Sequence, residues 1–92
     1  MGIERGPQVY EVIIRFHRDQ ARWIKERHWH PGQVIGELPD GRLVLKMHLS
    51  GLQEVKRWVL GFGGRAKVLA PPELRREVAR EAKEMAELYG HI

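Results

Sequence analysis

The chain has no cysteine, no threonine and no asparagine, and its single serine is Ser50. Neither a disulfide nor a thiolate metal site can form. A nucleophile would have to be Ser50, a lysine, a histidine or a carboxylate. Ser50 lies in S-G-L, outside any G-x-S-x-G elbow, and reads instead as the N-cap region of a helix, where a hydroxyl satisfies free amides. No apolar run reaches the about 18 residues a membrane helix needs, and Met1 to Pro7 contain no hydrophobic signal core. A cytoplasmic location is expected. The absence of Asn and Cys beside much Arg and Glu is a composition that suits a thermophile.

What is present suffices for one domain. The 92 residues are 42% hydrophobic, enough to fold around a single core. Sixteen basic against twelve acidic side chains leave a net charge of +4, which permits an anionic partner without demanding one.

The stretch Leu43 to Pro71 sets the architecture. Leu43, Leu45, Met47 and Leu49 alternate with Val44, Lys46 and His48, the period of a strand with one buried face. After Ser50-Gly51, Leu52, Val55 and Val59 recur at helical spacing with Trp58 beside them. Gly61 is placed to end that helix in the left-handed C′ position, Gly63-Gly64 turns the chain, and Ala66 to Ala70 forms another strand. Upstream, Gln8 to Phe16 reads as a central strand, Arg18 to His28 as a helix with Ala21, Ile24 and His28 inward, and Gln33 to Leu38 as a short strand. Pro39-Asp40-Gly41 makes the latter a hairpin with Leu43–Leu49. Pro72-Glu73 opens a C-terminal helix, whose stripe of Leu74, Val78, Ala82, Met85 and Tyr89 predicts one long apolar face. The order β-α-β-β-α-β plus a helix predicts an α+β, ferredoxin-like βαββαβ sandwich with an additional C-terminal helix. Residues 1–7 read as a flexible lead-in, 8–92 as the domain, and a Met-Gly start just ahead of a strand as the cut end of a longer protein.

In such a sandwich the helices cover one sheet face and leave the other free. Strand parity assigns Glu11, Ile13, Arg15, Val44, Lys46, His48, Lys67 and Leu69 to the free face; Val34 and Ile35 compete for the second strand. Arg15, Lys46 and Lys67 together offer a surface for an anion or another domain, or a merely solvated one. Ile13, Val44 and Leu69 favour a covered face, because contiguous exposed apolar area marks interfaces. Base stacking would need aromatics there, but Tyr10 and Phe16 fall on the helix side. Trp23, Trp29 and Trp58 lie on or beside helices, as packing residues do. His28 and His30 are an i, i+2 pair with no third ligand nearby, so no metal and no cofactor is expected. Gly61-Phe62-Gly63-Gly64 follows a helix and precedes a strand, the reverse of a phosphate loop. The glycine-rich loop of small acylphosphatases is also missing after Phe16.

Several motifs together resemble a known family. Arg15-Phe16, Ala21-Arg22-Trp23-Ile24, Glu26-Arg27-His28-Trp29-His30-Pro31-Gly32-Gln33, Asp40-Gly41, Trp58-Val59-Leu60-Gly61-Phe62-Gly63 and Val68-Leu69-Ala70-Pro71-Pro72-Glu73-Leu74-Arg75 resemble, in order, the C-terminal extension (WCX) domain of WYL-domain transcriptional regulators. Gly32 departs from the usual Ser. The resemblance covers about Val9 to Tyr89 and implies a non-catalytic regulatory, dimerisation and effector-gating module of a bacterial regulator. It implies upstream WYL and helix-turn-helix domains as partners, a homodimer, a nucleic-acid or other anionic effector, and DNA bound through the N-terminal domain absent here. It matches Arg15, Arg27 and His30 to ligand or interdomain contacts, with Arg22 and Lys46 behind them, and Trp58, Leu60 and Leu74 to structural positions; strand parity adds Lys67 to the contact candidates. The competing readings are an autonomous nucleic-acid-binding domain and a small acyl- or phosphoryl-transfer enzyme.

Overall fold

The computed structural model describes residues 8–90; the expected lead-in, residues 1–7, lies outside them. The elements are β1 (Tyr10–Phe16), α1 (Arg18–Lys25), β2 (Val34–Glu37), β3 (Leu43–Leu49), α2 (Gln53–Leu60), one 3-10 turn (Gly63–Arg65), β4 (Ala66–Ala70) and α3 (Pro72–Tyr89). The four strands form one antiparallel sheet in the order β2-β3-β1-β4. Each helical crossover, β1-α1-β2 and β3-α2-β4, thus skips over one strand, as a ferredoxin-like arrangement requires.

Alternation decides which side chains meet. Val12, Ile14 and Phe16 of β1, Leu43, Leu45 and Met47 of β3 and Val68 of β4 are all buried, and they share one cluster with Ile24 of α1, Val55 and Val59 of α2 and Leu74 of α3. All three helices therefore contribute to the same side of the sheet. Each fully buried aliphatic or Phe side chain contributes about 1.5–3 kcal/mol relative to an exposed one. An aromatic seam closes this layer. Phe16 meets Trp58 and Phe62 edge-on, with centroids 5.7 and 5.1 Å apart. Trp58 and Trp23 each lie 4.9 Å from Trp29. The tryptophans are packing residues, as their helical placement predicted.

Several local expectations are corrected. α1 ends at Lys25, not His28, and His28 is exposed. The following loop is organised by Gln33, whose side-chain oxygen accepts from the backbone N–H groups of Trp29 and His30 while its amide donates to Arg27 O at 3.1 Å. Trp29 Nε1 donates to Ile24 O at 3.0 Å. These bonds draw the chain away from the helical path. Gly61 stays right-handed at φ −66°, and Gly63, at φ +61°, supplies the left-handed turn instead. Leu52, not Ser50, precedes α2, and no side chain caps that helix. In α3 the stripe is only half buried: Leu74 and Val78 reach the core, whereas Ala82, Met85 and Tyr89 are exposed because the helix outruns the sheet. β2 is shorter than expected, and its register puts Ile35 opposite Leu45 on the helix side and Val34 opposite Lys46 on the other.

Ion pairs tie the elements together. Lys56 of α2 reaches Glu77 and Glu81 of α3, at 3.0 and 2.7 Å. The hydrogen bonds that Lys56 donates to Glu81 and then to Glu77 outweigh desolvation and raise the Lys56 pKa; the hydrogen bond from Lys56 lowers that of Glu77. Asp40 is held low first by the Arg42 backbone N–H. For Asp19, desolvation pulls upward but is outweighed by hydrogen bonds from Arg65 and His17. A carboxylate depressed in the folded state stabilises it fully above the unfolded pKa, near 4, and loses that contribution as pH falls through its lower folded value. The melting temperature is therefore expected to hold from pH 7 to about 5 and to drop below about 4. Circular-dichroism melts of the chain and of Lys56→Met check this: the variant should fall less steeply in acid, and superimposable slopes would remove Lys56 from the account.

Candidate functional site

The sheet face opposite the core is open among the described residues, and its occupants follow from register. Arg15 pairs with Val44 on one side and Lys67 on the other. Ile13 pairs with Lys46, which in turn faces Val34. Glu11 pairs with His48. Residues paired across antiparallel strands point to the same face. Arg15 and Lys67 are thus side by side, with Lys46 one row along. A bulge between Ile13 and Ile14 shifts the β4 register near Leu69, so that Ile13 meets Ala70. The face combines charge with aliphatic surface: Ile13, Val44 and Leu69 are half-buried, and Val34 is 59% exposed.

The cations on this face differ in their partners. Lys46 Nζ lies 3.9 Å from Glu11 Oε2, which also lies 3.6 Å from His48 Nε2. No ion pair among the described residues involves Arg15 or Lys67. A half-buried guanidinium on the central strand without a carboxylate is costly unless solvent or a ligand compensates it.

Arg22, Arg27 and His30 are not brought to this face. Arg22 and Arg27 stand on and after α1, in the helix layer. Arg22 Nε lies 3.2 Å from Glu26 Oε2 and is strongly exposed. The Arg27 guanidinium lies over the Trp23 ring, 4.7 Å from its centroid, a contact worth about 0.5–1 kcal/mol at an exposed site. His30 lines a cavity of about 450 Å³ with His48, Val9 and Glu54, at the end of the sheet where β1 begins and β3 ends. Its Nδ1 accepts from Gly32 N at 3.3 Å.

Sequence reasoning missed two guanidiniums at the opposite end. Arg42 and Arg65 join Arg15, His17 and Lys67 around a notch of about 170 Å³. His17 N donates to Arg65 O at 2.8 Å, which fastens the end of β1 to the turn before β4. The Asp40-Gly41-Arg42 turn brings Arg42 in from the β2–β3 hairpin, and Gly41 at φ +92° permits that turn. No single stretch of sequence holds these residues; only the β3-β1-β4 neighbourhood assembles them.

A family model described as the WCX domain matches residues 8–86. The chain belongs to the WCX domain family. That membership makes it a module of WYL-type regulators. No curated protein matches the chain significantly. Among the described residues no helix is long and apolar enough to cross a membrane. The WCX motifs now have physical roles. In Arg15-Phe16, Phe16 is the largest fully buried side chain while Arg15 faces the open side. In Trp29-His30-Pro31-Gly32-Gln33, the Gln33 amide clamps the loop. Trp58 joins the aromatic seam, Leu74 is buried, and Leu60 lines a groove with Val78 and Met85.

Proposed function

We propose that this WCX domain is a non-catalytic, cytoplasmic C-terminal module of a bacterial WYL-type transcriptional regulator. Its open sheet face docks against the neighbouring WYL domain, and Arg15, Lys46 and Lys67 meet an anionic effector there. DNA is read by the helix-turn-helix domain upstream. A second copy of the regulator pairs through the protruding half of α3, where Met85, Leu88 and Tyr89 are 48%, 76% and 66% exposed. The observation that carries the reading is the register of Arg15 opposite Lys67 on a face with aliphatic residues and, among the described residues, no helix over it. Tyr10 and Phe16 lie on the helix side, so among the described residues the open face lacks the aromatic platform of a base-stacking domain.

The test is Arg15→Glu in the complete regulator. The effector response should weaken about tenfold or more, the change that 1.4 kcal/mol makes in an equilibrium constant. The isolated domain carrying the same change should stay folded. An unaltered response in a folded variant would end the docking role; unfolding would make Arg15 structural.

A further inference from the structure

The notch at the C-terminal end of β1 joins Arg15 and Lys67 of the open face to residues that the open-face reading does not use. Its basic side chains come from four places: Arg15 and His17 from the end of β1 and just after it, Arg42 from just before β3, Arg65 from the 3-10 turn, and Lys67 from β4. Two carboxylates stand beside them. Arg65 Nε donates to Asp19 Oδ2 at 2.8 Å, and Arg42 Nε lies 2.7 Å from Asp40 Oδ2. Those contacts occupy one edge of each guanidinium and fix its position. Four permanent cations against two carboxylates leave an excess of two positive charges at a single concavity. The Arg42 Nε is shielded from solvent and makes no aligned hydrogen bond among the described residues. That nitrogen faces Asp40, and the rest of the Arg42 guanidinium, with the neighbouring Arg15 and Lys67 lacking carboxylate partners among the described residues, supplies the donor set.

Size and charge narrow the ligand. Pockets for drug-sized molecules run from about 300 to 1,000 Å³, so a notch of about 170 Å³ takes a small group and not a nucleoside. A phosphate monoester carries about two negative charges near neutral pH, against one on a phosphodiester. The geometry points to a binding site for a terminal phosphate group, held by Arg15, Arg42, Arg65 and Lys67 with His17 at the rim. This deepens the proposed function, from which it takes Arg15 and Lys67, by naming a chemical class and adding Arg42 and Arg65.

The test uses the 92-residue chain in NMR titrations that follow backbone amides and arginine Nε–H signals at constant ionic strength. The probes are inorganic phosphate, a 5′-phosphorylated dinucleotide and the same dinucleotide without its terminal phosphate. Saturable shifts are expected around Arg15, Arg42, Arg65 and Lys67 with the first two probes. The unphosphorylated dinucleotide should bind at least tenfold more weakly, and Arg42→Gln and Lys67→Gln should each weaken phosphate binding severalfold. Lys83→Gln, on exposed α3, should change nothing. Shifts that grow linearly without saturation, equal affinity for both dinucleotides, or unchanged binding by both notch variants would overturn the site. The two proposals fail separately: a chain that binds phosphate while the full regulator ignores Arg15→Glu keeps the notch and loses the docking role.

Discussion

Replacing Phe16 by alanine is expected to cost about 3–5 kcal/mol, as large aromatic deletions from cores do. Phe16 is fully buried, the inward residue at the end of β1, and joins the sheet to α2 through Trp58 and to the following turn through Phe62. The surrounding layer has no means of collapsing into the gap, because strands β3 and β4 hold it on both sides through Leu43 and Ala66. Against a total stability of about 5–15 kcal/mol for a small domain, this brings the folded state close to balance. Trp23→Ala is the matched control. Trp23 is 40% exposed and meets the seam only at its rim, so about 1 kcal/mol is expected. Urea denaturation of both variants, followed by tryptophan fluorescence and by far-ultraviolet circular dichroism, measures the two costs. Equal losses would mean that the seam is a surface feature and not the hinge of the fold.

The same residue marks what was legible beforehand. Period-two alternation in β1, β3 and β4 tells the buried face from the open one, which places Arg15, Lys46 and Lys67 together from sequence. β2 resisted because Val34 and Ile35 are adjacent and both apolar; only pairing with Lys46 and Leu45 separates them. The notch was illegible for a different reason. Arg42 and Arg65 sit in turns, where no periodicity exists, and they meet Arg15 only because β1 lies between β3 and β4. Arg27 follows α1, and its guanidinium rests on the Trp23 ring, a contact made beyond the end of the helix that helical spacing does not give. Lys56 carries no signal in the sequence, because its two carboxylates come from a helix whose position no local pattern gives.

Leu74→Ala should rank with Phe16→Ala, costing about 2–5 kcal/mol. Leu74 is 1% exposed and is the only fully buried residue of α3, so the first turns of that helix hold to the core through it, helped by half-buried Val78 and the Lys56 pair. Substitutions in the second half should behave oppositely. Leu88→Ser and Tyr89→Ser change residues 76% and 66% exposed, and within one chain they should move stability by no more than about 0.5 kcal/mol. The contrast separates two functions of one helix, anchoring and presentation. If the protruding half pairs with a second copy, the melting temperature of the unsubstituted chain rises with concentration, because a partner that binds only the folded state stabilises it by mass action. Leu88→Ser should abolish that rise while leaving the dilute melting temperature unchanged. A melting temperature independent of concentration over a hundredfold range, in chain and variant alike, would leave α3 an anchor only and end its proposed role in pairing.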